Sequence, residues 1–232
     1  MKMGESVLVL HGLWMNRIAM HPLTSALRRA GFDAVAGHYR SMRGTLDENV
    51  ARVRQQVAEL EHGGGGRIHL IGHSLGGILA LALLRADPQR YGRVVLLGSP
   101  VAGCQAARDF ASYPGAHWLL GETAALWNNL DLAQIPAREP ARSPIVAGAG
   151  AESSPQEGVE VGAIAGSETL GLAHFFVGLQ GVHDGVVRVD ETKVPGIADH
   201  LVLPVSHTGM LLSDAVAAQC VAFLLNGRFS RR

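Results

Sequence analysis

Gly72-His73-Ser74-Leu75-Gly76 places a serine between two glycines. Before it lies a short β-branched run, Arg67 to Ile71, and after it an Ala/Leu-rich stretch. A buried strand that turns sharply into a helix strains the serine backbone and lifts its hydroxyl out of the sheet. The N–H of Leu75 then stands unpaired at the helix start, where the dipole favours negative charge. Ser74 in that setting suits nucleophilic attack, with a backbone donor beside the anion that forms. A phosphate cradle is the competing use of such a turn. The stretch does not fit G-x-G-x-x-G, and no Gly-Lys-Ser/Thr tripeptide occurs.

That turn needs a sheet around it. Val7 to Leu10 reads as a strand apolar on both faces, ended by His11-Gly12. Arg17 to Ala30 reads as a helix closed by Gly31, with Pro22 in its first turn. Phe32 to Ala36 is a second strand. Thr45 and Glu48 form a capping box, and Leu46, Val50, Val53, Val57 and Leu60 share one helical face. Ile68 to Ile71 is a third strand, Gly76 to Arg85 a helix and Val94 to Leu97 a fourth strand. This alternation predicts βαβ units and an α/β fold of about six mostly parallel strands, with helices on both faces.

Residues 101 to 157 are less regular and read as a small cap or excursion within a single domain, with a Pro/Ala/Arg/Ser-rich stretch near 136 to 155. Val159 to Ala165 and Leu201 to Val205 are the fifth and sixth strands. A last helix is expected from Gly209 or Met210 to Leu225.

Composition narrows the class. Twenty Lys+Arg balance twenty Asp+Glu, which gives no basic excess for nucleic acid. Cys104 and Cys220 are expected as free thiols in a reducing compartment. With no signal-peptide pattern and no apolar run of membrane-spanning length, the expected location is cytoplasmic. Apolar spacing at Phe110, Trp118, Leu119 and Leu120 does not make a decisive lipid-surface helix. His69 and His73 straddle the strand-to-turn junction, and no zinc-type ligand spacing is present, so neither metal nor organic cofactor is expected.

With these elements in place, the chain resembles the α/β-hydrolase superfamily, and within it the bacterial lipase- and carboxylesterase-like serine hydrolases. The motifs that carry the likeness are His11-Gly12-Leu13, Gly72 to Gly77, His183-Asp184-Gly185-Val186-Val187 and Ser206-His207-Thr208-Gly209-Met210.

The resemblance implies roles. The superfamily order is nucleophile, acid, base. His207, on the loop after the last strand, takes the base position. Asp184 matches the acid loop of many lipases. Glu168 is the rival acid, because many relatives carry theirs directly after the fifth strand. Asp190 and Asp199 are weaker candidates. The backbone N–H groups of Leu13 and Leu75 would form the oxyanion hole, and His11, Trp14 and Met15 would line the substrate pocket. His73 is expected to pack beneath the turn, His69 in the core, and His200 at the far end of the sheet.

The expected activity is hydrolysis of carboxylic esters with short to medium acyl chains through an acyl-enzyme, on a small-molecule ester or lipid. A thioesterase, amidase or acyltransferase would use the same residues. A non-catalytic binding module is the reading from another class, and a lost triad residue would be its mark.

Overall fold

The computed structural model describes residues 5–62, 67–111, 158–169 and 179–231. Within them lie β1 (Ser6–Leu10), α1 (His21–Arg29), β2 (Asp33–Ala36), α2 (Leu46–His62), β3 (Ile68–His73) and α3 (Leu75–Ala86). β4 (Tyr91–Leu97), α4 (Gln105–Ala111), β5 (Val161–Gly166), β6 (Asp199–Leu203) and α5 (Asp214–Asn226) follow. The expected cap lies mostly outside the described residues, and only its opening, with α4, falls inside them.

The six strands form one parallel sheet in the order β2-β1-β3-β4-β5-β6. Strand alternation sends side chains to two cores. Leu8, Leu10, Val94 and Leu96 pack with α2 and α3, while Val7, Val9, Val95 and Leu97 pack with α1 and α5. Both faces are covered, which is why these strands read as continuous apolar runs. The chain runs outward from β1 to β2, then crosses back over β1 to β3. At that reversal the connections leave β1 and β3 on opposite faces, and in open α/β sheets the carboxyl ends at such a point are where ligands bind. His11-Gly12 and Ser74 follow those two ends.

Local chemistry explains where elements stop. A 3-10 turn, Arg17–Met20, precedes α1, and Asn16 Oδ1 accepts the Ile18 N–H at 2.9 Å. The expected continuous helix breaks there because Pro22 has no N–H to continue the ladder and sits in the first turn of α1. The capping box at α2 forms as expected: Glu48 N–H donates to Thr45 Oγ1 at 3.2 Å, and Thr45 N–H to Glu48 Oε2 at 3.1 Å. Val53 and Val57 are fully buried on its inner face.

Two late elements differ from expectation. The sixth strand starts earlier, at Asp199, and pairs with β5 from Gly162↔Asp199 to Gly166↔Leu203. Pro204 cannot donate to the ladder, so pairing ends before it. The last helix begins later, at Asp214, after a separate 3-10 turn at Gly209–Leu211. Ser213 accounts for the delay: its hydroxyl accepts the Val216 N–H at 3.3 Å as an N-cap.

Candidate active site

Ser74 joins β3 to α3 with φ 55° and ψ −120°. A non-glycine residue at positive φ is strained, and such strain persists only where the surroundings impose it. Ser74 N–H donates to Leu97 O at 2.8 Å, which ties the turn to the end of β4. On the opposite side lies Gly12. A Cβ there would stand 2.9 Å from His73 Nδ1 and 3.2 Å from the Ser74 Cβ, so only glycine lets the β1 loop approach so closely.

His207 and Asp184 meet beside this turn. His207 Nδ1–H donates to Asp184 Oδ2 at 2.7 Å. The His207 N–H donates to the Asp184 carbonyl at 2.9 Å, so ring and backbone are both held. Asp184 Oδ1 accepts from Val187 N–H at 2.7 Å and Val186 N–H at 2.9 Å. The carboxylate is 1% exposed. Burial alone would raise its pKa, but the positive charge His207 can carry, its hydrogen bond and the two backbone N–H groups outweigh burial and hold it below the ordinary value. Gly98, next to Leu97, brings β4 against the pair: a Cβ there would lie 3.0 Å from Asp184 Oδ2 and 3.1 Å from His207 Nδ1.

His73 completes the constellation. Its Nε2–H donates to the His207 carbonyl at 2.8 Å, and the two rings lie 4.7 Å apart. A carbonyl only accepts, so the proton sits on Nε2 and Nδ1 is a bare acceptor with no hydrogen-bond partner. Burial, reinforced by the charge His207 can carry, drives the His73 pKa down to about 3, so the ring is neutral.

The remaining expected residues separate. Glu168 is exposed and donates its N–H to Val205 O at 3.2 Å; the nitrogen it would have held faces Asp184 instead. Asp190 pairs with Arg188, and Asp199 accepts from Phe229 N–H and Arg231. His69 is buried and pairs with Glu5 at 3.1 Å, and His200 contacts Thr192 Oγ1 at 2.8 Å. Leu75 opens α3, so its N–H has no partner within the helix. Leu13 is half-buried against the α2/α3 core, Met15 packs on the α1/α5 core, and Trp14 is 48% exposed with φ 59°.

His11 departs from the expected pocket position. It is 1% exposed, stacked on Tyr39 with ring centres 4.3 Å apart, and its Nδ1–H donates to Gly12 O at 2.9 Å. Tyr39 and the bonding of His73 are not legible in the sequence, because their partners, His11 and His207, lie in loops that follow other strands. Cys104 and Cys220 are both free and buried, and burial pushes each thiol up to about 12. Among the described residues no group of His, Cys, Asp or Glu has the arrangement to hold a metal, and no helix is long and apolar enough to cross a membrane.

A strained serine at the joint of the third strand and its helix, and a carboxylate-bound histidine after the last strand whose carbonyl is held by the serine's neighbour His73, stand at one edge of the sheet. Residues 7–219 match the model of the Alpha/beta hydrolase family. The chain belongs to that family. Its fold is similar to the mature lipase BlEst2 of Bacillus licheniformis, with TM-score 0.69 and 16% identity over 98% of this chain and 93% of that one. A monoacylglycerol lipase of Paleococcus ferrophilus aligns with TM-score 0.61 and 13% identity, covering 97% and 96%. A metagenomic carboxyl esterase aligns with TM-score 0.59 and 17% identity, covering 89% and 65%. At these identities the likeness is one of fold.

Proposed function

We propose that the protein is a serine hydrolase of carboxylic esters. Ser74 Oγ attacks the ester carbonyl while His207 Nε2, on the ring edge away from Asp184, takes its proton. Asp184 holds the imidazole in the tautomer that leaves Nε2 bare, and stabilises the imidazolium. The N–H groups of Leu13 and Leu75 receive the oxyanion. The intermediate collapses as His207 protonates the departing alcohol, leaving an acyl-Ser74. Water, deprotonated by His207, then releases the acid and restores the serine. No cofactor enters these steps.

One observation carries the reading: a strained serine whose neighbour His73 grips the same residue, His207, that Asp184 holds by its ring. Further support comes from the fold neighbours, which are lipases and an esterase. Short to medium acyl esters are the proposed substrates.

Labelling with a fluorescent fluorophosphonate tests the nucleophile, comparing wild type with Ser74→Ala and His207→Ala. Hydrolysis of p-nitrophenyl esters of rising chain length sizes the acyl site, and matched thioester and anilide substrates rank the bond cleaved. A folded wild type that neither labels nor turns over any ester overturns the proposal.

A further inference from the structure

We infer that His11, braced by Tyr39, is a positioning residue that sets the Gly12–Leu13 peptide for the oxyanion hole. The inference rests on the ester-hydrolase reading and explains how one of its two donors is aimed.

The Gly12 carbonyl accepts His11 Nδ1–H at 2.9 Å and, more weakly, Met15 N–H at 3.4 Å. A trans peptide is planar, and its C=O and N–H point in opposite directions. Fixing the Gly12 carbonyl therefore turns the Leu13 N–H to the other side. Ser74 borders the same glycine, since a Cβ on Gly12 would stand 3.2 Å from the Ser74 Cβ. A flipped peptide would turn the carbonyl to where the donor should be and place a negative dipole against the oxyanion. The His11 bond opposes that flip.

His11 itself has little freedom. Its ring lies on Tyr39 at an interplanar angle of 8°. The Tyr39 hydroxyl donates to the His11 carbonyl, which pins the preceding peptide as well. Burial lowers the pKa of His11, so the ring is neutral at ordinary pH and its one N–H is committed to Gly12. Two consecutive carbonyls, those of His11 and Gly12, are thus held by this stacked pair. The strained φ of 59° at Trp14, two residues on, indicates that the loop conformation is imposed by its surroundings.

The test uses three variants of the full chain. His11→Phe keeps an aromatic ring on Tyr39 and removes the donor. His11→Asn restores an N–H at the same position along the side chain. Tyr39→Phe keeps the stack and removes the hydroxyl. The readouts are kcat and KM on p-nitrophenyl butyrate, and the affinity for a trifluoromethyl ketone whose Ser74 adduct places an oxyanion in the hole. Deleting an oxyanion donor costs about 10²- to 10³-fold in kcat, and misaiming one should cost about tenfold. His11→Phe is expected to lower kcat and ketone affinity together by that factor, with KM within about twofold, and His11→Asn to recover most of both. A folded His11→Phe with wild-type kcat, or a His11→Asn no better than it, overturns the inference. If His11→Phe does not fold, Tyr39→Phe decides: a parallel loss of kcat and ketone affinity supports the inference, and wild-type values overturn it. A wild type that is not labelled at Ser74 and cleaves no ester refutes the hydrolase reading itself, which separates the two failures.

Discussion

His73, the residue before Ser74, donates its ring N–H to the backbone carbonyl of His207, 134 positions away, at 2.8 Å. The turn that carries the serine and the loop that carries the histidine are therefore one hydrogen-bonded unit. Replacing His73 with Leu removes that bond and with it the direct tie between the serine turn and the His207 carbonyl. We expect kcat to fall by about tenfold with KM little changed, since the geometry that matters is that of the reacting groups. Steady-state kinetics on a p-nitrophenyl ester would check this. An unchanged kcat in a folded variant would mean that Asp184 suffices to place the base.

Asp184 and Glu168 are separable by mutation. Asp184→Asn is expected to reduce kcat by about 10⁴-fold, because an amide no longer favours the required tautomer or stabilises the imidazolium. Glu168→Gln should stay within about twofold of wild type, its side chain being exposed. Parallel kinetics of the two variants decide between them, and the reverse order of effects would reassign the acid.

Strain at Ser74 predicts a trade between stability and chemistry. Ser74→Gly removes the proposed nucleophile and also the cost of φ 55°. Ser74→Ala removes the same hydroxyl and keeps the strain. Both should be inactive, and the glycine variant should unfold at the higher temperature, with about 1 kcal/mol more stability than the alanine variant. Calorimetry of the pair reads the difference, and equal midpoints would argue that the turn is relaxed.

Acid should destabilise the fold before it protonates the carboxylates. Burial lowers the pKa of His11, His69, His73 and His200 from 6.5, with His73 down to about 3. Below 6.5 the unfolded chain takes up protons at these rings that the folded chain refuses. Stability then falls as pH falls, and the contribution is fully present only above the unfolded value. Glu191, whose carboxyl burial raises, opposes this only nearer its ordinary value of 4.5. Unfolding midpoints measured from about pH 8 to about 5.5 should decline. The decline should be shallower by about one proton in His73→Phe. A flat profile would contradict the burial of these rings.

Much of this protein was legible from residue order alone. The strand and helix alternation, the Thr45–Glu48 capping box and the Gly-x-Ser-x-Gly turn between β3 and α3 are written in neighbours a few positions apart, so local spacing encodes them. The histidine after the last strand is identifiable from its place in that order. Other features depend on residues far apart in the chain. Asp184 and Glu168 are both candidate partners by position, and the folding of the 182–187 loop against His207 is what gives the ring to Asp184. The early start of β6 follows from its register on β5. His11 reads in the sequence as a substrate-pocket residue, yet it is buried because Tyr39, beyond β2, offers a ring to stack on and a hydroxyl for its carbonyl. Contacts between side chains on separate strands leave no periodic trace along the chain, so only the assembled sheet, which brings the ends of its strands to one edge, determines them.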